Sequence, residues 1–125
     1  MSLLYIDVDC VERDSGALRK AGYVVDGFRT PESANGQLQD LEKYVLLIAE
    51  PRRTRIDLRE NTTIKLIRRF REETQRPVII ASLLDLLELE KLGLFLRKDY
   101  DFAFKKPFHL NDLRLMVDSI VGKTR

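Results

Sequence analysis

The stretch Tyr44-Val-Leu-Leu-Ile-Ala-Glu-Pro51 lies near the middle of the 125-residue chain and decides the predicted fold. Its apolar residues run unbroken from Val45 to Ala49, until Glu50 and Pro51 end the run. A run of this length is too short for a buried helix and is typical of a strand covered on both faces. We therefore expect a buried strand of a parallel sheet here.

Two further apolar runs flank this strand in the sequence. Leu3-Leu-Tyr-Ile6 ends at Asp7, and Val78-Ile-Ile-Ala81 ends at Ser82. In open parallel sheets, ligands bind at the carboxyl ends of the strands. The sequence therefore predicts that Asp7, Ala49-Glu50 and Ser82 lie along one rim of the sheet.

The rest of the chain alternates short apolar runs with segments of helical periodicity. Strands are predicted at 3–8, 23–28, 44–49, 78–81 and 102–104, and helices at 10–21, 31–42, 61–74, 84–92 and 110–121. Alternating strands and helices indicate a doubly wound α/β fold. Because the length suits one domain and no linker interrupts the pattern, we expect residues 1–125 to form a single domain.

Composition narrows the class of protein. Apolar residues make up 44% of the chain and charged residues 34%, with a net charge of +2, which predicts a soluble protein without an overall polyanionic partner. The single Cys10 excludes an internal disulfide and fits a reducing cytoplasm. Because no apolar stretch approaches the ~20 residues that span a bilayer and no signal peptide precedes the first strand, a cytoplasmic location is predicted.

Five segments, taken in order, resemble one known family. They are Leu4-Tyr-Ile-Asp7, Gly22-Tyr23, Val45–Ile48, Pro77-Val-Ile-Ile-Ala-Ser82 and Lys105-Lys-Pro-Phe108. Together they resemble the receiver domain of two-component response regulators over nearly the whole chain. The resemblance implies a flavodoxin-like fold of three α/β/α layers, with five parallel strands in the order 2-1-3-4-5. It also implies a phosphorelay function, in which an aspartate accepts a phosphoryl group and an output surface passes the signal on.

The resemblance also implies a set of site residues. In receivers, an aspartate ending the third strand is the acceptor, and it holds Mg²⁺ together with two acids after the first strand. A Ser or Thr after the fourth strand and a Lys after the fifth bind the phosphoryl oxygens. Asp7 matches the first acid, and Ser82 and Lys106 match the phosphoryl-binding pair.

Other positions depart from that pattern. Val8 stands where the second acid should be, and Asp9 is displaced by one residue. Mg²⁺ is therefore expected only if the pocket still functions, with Asp7 and Asp9 as candidate ligands. Ala103 stands where receivers carry a switch aromatic.

The acceptor position is the largest departure. An ungapped count from Gly22-Tyr23 places the acceptor at Ala49, and a shift by one residue places it at Glu50; neither is aspartate. We interpret the chain as a degenerate receiver, or pseudo-receiver: a non-enzymatic module that is not phosphorylated at a standard aspartate and acts through protein–protein interaction.

Two alternatives stay open. The first is an active receiver that uses Glu50, or Asp57 in Arg55-Ile-Asp-Leu58, as the acceptor, although no apolar strand leads into Asp57. The second follows from Asp7-Val-Asp-Cys-Val11, which is similar to the nucleophile motif of haloacid-dehalogenase-type phosphatases and would make Asp7 the nucleophile. That family needs a later acidic pair at a strand end, whereas Asp112 and Asp118 both fall on the last predicted helix.

A basic segment, residues 52–71, is one of two candidate interaction surfaces. It carries eight basic residues against two acids; the basic residues are Arg52, Arg53, Arg55, Arg59, Lys65, Arg68, Arg69 and Arg71. The segment fits either a solvated helix face or a docking site for an acidic partner. Nucleic acid is the weaker candidate, because no aromatic residues alternate with the basic ones.

The second surface is the leucine-rich segment 83–96, with eight leucines. We assign Leu84, Leu87 and one further leucine to the core and expect Leu86 and Leu89 on an exposed stripe that mediates a homodimer. The receiver resemblance implies the same surface, because dimers and output domains dock on the face formed by the fourth helix, the fifth strand and the last helix.

Overall fold

The computed structural model describes residues 2–34, 36–51 and 61–122. Its centre is a sheet of five parallel strands in the order β2-β1-β3-β4-β5. The strands are β1 Ser2–Ile6, β2 Val24–Phe28, β3 Tyr44–Ala49, β4 Val78–Ser82 and β5 Phe102–Lys105. The strand order predicted from the receiver resemblance is therefore confirmed.

Within the described residues, four α-helices flank the sheet: α1 Val11–Lys20, α2 Thr62–Thr74, α3 Leu86–Lys91 and α4 Leu110–Val121. The Asn61 side chain caps α2 by accepting a bond from the backbone N–H of Ile64. A reciprocal pair of side-chain bonds between Asp85 and Glu88 caps α3. None of the helices within the described ranges is long and apolar enough to cross a membrane.

The predicted helix over 31–42 is wrong. Two short 3₁₀ helices, Glu32–Ala34 and Leu41–Lys43, stand in its place. Gly36 adopts a φ of +84°, which a right-handed helix does not allow. On either side of it, polar side chains bond to nearby backbone N–H groups: Thr30 and Ser33 bond reciprocally, and Asp40 caps the second turn.

The strand that decided the fold is covered on both faces, as predicted. Leu47 packs in a cluster with Ile67 and Phe70 of α2, whereas Leu46 and Ile48 pack in a second cluster with Val117 of α4. At its carboxyl end, Ala49 is paired with Ile6 of β1 on one side and Ile80 of β4 on the other. The three-layer arrangement therefore brings three strand ends to one rim.

The assignment of the leucines was partly wrong. Leu84 packs against the core as expected, but Leu89 is fully buried at 0% exposure, whereas Leu87 is 63% exposed. Because α3 begins only after the Asp85 cap, Leu89 and Leu92 form its inward face, and Leu86 and Leu87 lie in its first turn. Leu89 therefore cannot anchor a partner, whereas Leu86 remains exposed.

Candidate functional site

Hydrogen bonds just past the strand ends fix the rim of the sheet. The backbone N–H of Asp7 donates to Phe28 O (3.1 Å), that of Glu50 to Ile6 O (2.9 Å), and that of Lys106 to Ser82 O (2.8 Å). Because the pairing of neighbouring strands continues into these residues, their positions are set by the sheet itself. The predicted convergence of Asp7, Glu50, Ser82 and Lys106 on one rim therefore occurs.

Lys106 bridges the two acids of the rim. Its Nζ donates to Asp7 Oδ2 at 2.7 Å and to Glu50 Oε2 at 2.8 Å. The side chains of Lys106, Asp7 and Glu50 are only 9%, 0% and 5% exposed. Charge-assisted hydrogen bonds between buried groups are short and strong. Removing one partner leaves another charge buried without a counter-charge. We call these three residues the rim triad.

The second oxygen of Asp7 is also engaged. Asp7 Oδ1 accepts bonds from the backbone N–H groups of Asp9 (2.8 Å) and Cys10 (3.0 Å). Asp7 therefore holds the turn that leads into α1, and Cys10, the residue before the helix, makes no side-chain cap bond. Both oxygens of Asp7 are occupied by protein groups.

Glu50, and not Ala49, faces the rim. Ala49 packs in the apolar cluster with Ile6 and Ile80. The Oε1 atom of Glu50 is buried and has no hydrogen-bond partner among the described residues. The sequence could not decide between the two positions, since both register counts were open; the pairing of β3 with β1 and β4 decides it.

Burial and hydrogen bonding shift the pKa values of Glu50 and Lys106 in opposite directions. Burial raises the pKa of Glu50 above its ordinary value, and the bond from Lys106 offsets this only in part. Burial alone would lower the pKa of Lys106, but its hydrogen bonds to Asp7 and Glu50 outweigh burial and raise that pKa. Lys106 therefore stays cationic at neutral pH.

The rim carboxylates form an acidic cluster whose oxygens Mg²⁺ would have to share with Lys106 and two backbone N–H groups. Oxygens of Asp7, Asp9 and Glu50 lie within 4.8 Å of one another. Mg²⁺ requires oxygen ligands in octahedral geometry, yet both oxygens of Asp7 and one of Glu50 already accept protein hydrogen bonds. Val8 offers no ligand atom. The cation that this arrangement accommodates is the ammonium of Lys106.

Ser82 and Ala103 complete the predicted set. Ser82 is buried, and its Oγ accepts from the backbone N–H of Leu84 at 3.1 Å. It does not cap α3, since Asp85 does so. Ala103 is exposed, and Phe104 packs on Phe108 with ring centres 5.4 Å apart, so no aromatic ring occupies the switch position.

A buried pair beneath the rim was missed from the sequence. The Tyr5 hydroxyl donates to Asp14 Oδ2 at 2.5 Å, with both residues fully buried, and burial raises the pKa of Tyr5. The available signal was helical spacing: Val11, Asp14 and Leu18 share the inward face of α1. An acid on an inward face indicates a buried partner, which β1 supplies here.

The basic segment is described only in part. Arg52, Arg53 and Asp57 lie outside the described residues, so Asp57 as an acceptor stays an untested alternative. Arg68 donates to Gly93 O at 2.7 Å, and Arg69 donates to Leu38 O at 2.8 Å and to Glu73 at 2.6 Å. Both arginines therefore support the fold, whatever else they bind.

Comparisons with solved structures identify the fold. A two-component response regulator from Clostridium difficile matches with a TM-score of 0.72 at 22% identity, over 100% of this chain and 98% of that chain. A CheY-like receiver domain protein from Methanospirillum hungatei matches with a TM-score of 0.75 at 16% identity, over 98% and 94%. NtrX from Brucella abortus matches with a TM-score of 0.71 at 16% identity, over 98% of this chain but 27% of that chain.

No protein-family profile and no curated protein sequence matches the chain. The likeness therefore lies in the structures, and the chain has the receiver-domain fold.

Proposed function

We propose that this chain is a receiver-like module of two-component signalling that works by protein–protein interaction and does not accept a phosphoryl group at its rim. One observation carries the proposal: Lys106 Nζ lies 2.7 and 2.8 Å from two buried carboxylates. In receivers, the matching lysine binds the incoming phosphoryl group. Here Lys106 is already committed to Asp7 and Glu50.

The rim triad pairs its own charged groups. The Glu50 carboxyl group lies at the end of β3, and Lys106 bonds to it without an added group. The pocket is therefore constitutively closed, and signalling depends on which partners the outer surface binds.

One observation favours the alternative of an active Glu50. Its Oε1 atom has no hydrogen-bond partner among the described residues and could attack a phosphodonor. For transfer, Lys106 would have to release Glu50 and bind the phosphoryl oxygens, at the cost of leaving Asp7 and Glu50 close together.

The phosphatase alternative has less support. Neither oxygen of Asp7 is available as a nucleophile, since one accepts two backbone bonds and the other binds Lys106. Asp112 and Asp118 lie on α4, and Asp118 accepts a bond from the Tyr23 hydroxyl. No strand follows β5 to carry a further acidic pair in the described ranges, which end at residue 122.

Exposed apolar side chains around α3 and β5 support the interaction role. They are Leu83, Leu86, Leu87, Phe95, Leu96 and Phe102, and we call them the leucine face. Exposed apolar surface of this kind marks binding sites. We propose a second copy of the chain as the occupant, joined two-fold through the same patch on both subunits. A fused output domain is the other occupant, by analogy with NtrX, whose matched region is 27% of its chain.

The test is intact-mass spectrometry after incubation with acetyl phosphate and Mg²⁺. Glu50→Gln and Asp7→Asn are measured beside the wild type, with Glu50→Asp as the variant that restores a standard acceptor. We expect no mass gain of one phosphoryl group in the wild-type protein.

Each contrary result identifies an alternative. A phosphoryl gain that disappears in Glu50→Gln would establish Glu50 as an acceptor. Turnover of a phosphate ester that disappears in Asp7→Asn would establish the phosphatase.

A further inference from the structure

A groove lies between α2 and the segment in which the two 3₁₀ helices replace the expected helix. Its volume is about 260 Å³, and it is lined by Pro31, Leu38, Thr62, Lys65, Leu66 and Arg69. It lies apart from the rim triad and from the leucine face, since none of its lining residues belongs to either. The contacts of the rim triad do not account for it.

The groove combines an apolar surface with two cations. Pro31, Leu38 and Leu66 supply the apolar part. Lys65 and Arg69 are four residues apart on α2, so they stand one helical turn apart on the same side. Lys65 is exposed, and none of the ion pairs formed between the described residues includes it.

The two cations differ in how firmly they are held. Arg69 donates to Glu73 at 2.6 Å and to the carbonyl of Leu38 at 2.8 Å, which fixes its guanidinium beside the groove. Among the described residues, no bond or ion pair of this kind holds Lys65, so its side chain can adapt to a ligand. One fixed and one adaptable cation at a half-open apolar surface suit an anion with an apolar part.

The two ends of the groove also differ in charge. A hydrogen bond from Thr62 lowers the pKa of Glu32, so this carboxylate stays ionised at neutral pH near the Thr62 end. Lys65 and Arg69 lie further along α2. An acidic ligand is therefore attracted at the Lys65–Arg69 end and repelled at the Glu32 end, which sets its direction.

Size and charge together select one class of ligand. The volume falls below the roughly 300–1,000 Å³ of small-molecule sites, and it suits one apolar side chain of a peptide. The described residues 61–71 carry four basic residues (Lys65, Arg68, Arg69 and Arg71) and no acid, which favours an acidic partner by electrostatic steering. We propose that this groove binds a short acidic segment of a partner protein, with one apolar side chain against Leu38 and Leu66 and its carboxylates on Lys65 and Arg69.

The experiment uses the whole chain and a defined probe. The probe is a capped heptapeptide with one central phenylalanine and acidic residues on one side of it only; its counterparts carry lysines in place of the acids, or glycine in place of the phenylalanine. Binding is followed by amide chemical shifts in a two-dimensional NMR titration. Lys65→Glu is the test variant, and Lys91→Glu, at an exposed lysine of α3, is the matched control.

The proposal predicts that the acidic peptide shifts the amides of Leu38, Thr62 and Leu66, that both altered peptides bind more weakly, and that added salt weakens binding. Reversing the charge at Lys65 should weaken binding about fivefold to tenfold, since an exposed attraction is replaced by a repulsion, whereas Lys91→Glu should not change it. Absence of acidic-peptide binding, or equal binding in Lys65→Glu, would overturn the proposal. A single-stranded oligonucleotide that bound more tightly than the peptide and depended on Lys65 would also overturn it, in favour of nucleic acid.

Discussion

The rim triad and the leucine face differ in burial: charged side chains are buried at the rim, whereas apolar side chains are exposed on the leucine face. At the rim, three charges are almost fully buried and hold one another through bonds of 2.7 and 2.8 Å. Around α3 and β5, large apolar side chains are left in water, with Leu83, Leu86 and Leu87 each more than half exposed. The rim is filled by its own side chains, whereas the leucine face is open to solvent. This difference supports the proposal of a module that binds partners through its surface and carries out no rim chemistry.

Lys106→Met offers the strongest test of this contrast. We expect the free energy of unfolding to fall by about 3–5 kcal/mol at pH 7, because Asp7 and Glu50 would be left buried without their cation. Loss of the lysine raises the pKa of Glu50 further, so the folded variant binds more protons than the unfolded chain between the unfolded and folded pKa values. The deficit should therefore be smaller at pH 5 than at pH 7.

The measurement is urea denaturation followed by circular dichroism at both pH values. Lys105→Met, at the exposed neighbouring position, is the control and should change stability little. Equal losses in the two variants would show that the rim triad is not a buried charge network.

Leu86→Glu tests whether the leucine face binds a second copy of the chain. If two copies associate through the leucine face, burying one leucine contributes about 1.5–3 kcal/mol, and a two-fold dimer buries Leu86 twice, so the substitution should raise the dimer dissociation constant about a hundredfold or more. Sedimentation equilibrium across a concentration series measures this. Val24→Glu, at an exposed apolar residue on the opposite sheet edge, is the matched control. A wild-type chain that stays monomeric at high concentration would contradict the homodimer.

Glu50→Gln should have the smallest effect on stability. Lys106 keeps Asp7 as a partner, and the variant no longer buries the Glu50 charge, so we expect a change within about 1 kcal/mol at pH 7. Since the folded pKa of Glu50 is raised, this group costs stability as pH rises through the interval between its unfolded and folded values. The free energy of unfolding of Glu50→Gln relative to that of the wild type should therefore increase from pH 4 to pH 7. A difference between variant and wild type that stays flat over this range would show that burial does not raise the pKa of Glu50.

The sheet could be predicted because its strands carry their signal locally. Unbroken runs such as Val45–Ala49 and Val78–Ala81 need cover on both faces wherever they occur, which indicates a parallel sheet. The helix predicted over 31–42 was wrong for an equally local reason. Gly36 and the polar residues around it favour turns, and the prediction gave them too little weight. The prediction for the leucines was wrong because the inward face of α3 depends on where the helix begins. The Asp85–Glu88 capping box marks that start, and the prediction did not take it into account.

The candidate site could be predicted only in its parts. Asp7 and Lys106 were found because each follows a strand at a position that the receiver pattern marks. The bonds of Lys106 to Asp7 and Glu50 join residues 99 and 56 positions apart in the chain, and they depend on the reach of the lysine side chain across the rim. No local pattern predicts whether a lysine reaches an acid or solvent at that distance.

Mg²⁺ titration of the wild-type protein and Lys106→Met, followed by amide chemical shifts of Asp7 and Glu50, tests the central claim most directly. If Lys106 takes the place of a metal ion, the wild-type rim should show no saturable shift at millimolar Mg²⁺, whereas Lys106→Met should bind the ion through the acids that the lysine releases. Saturable binding to the wild-type rim that is no tighter in Lys106→Met would contradict the account.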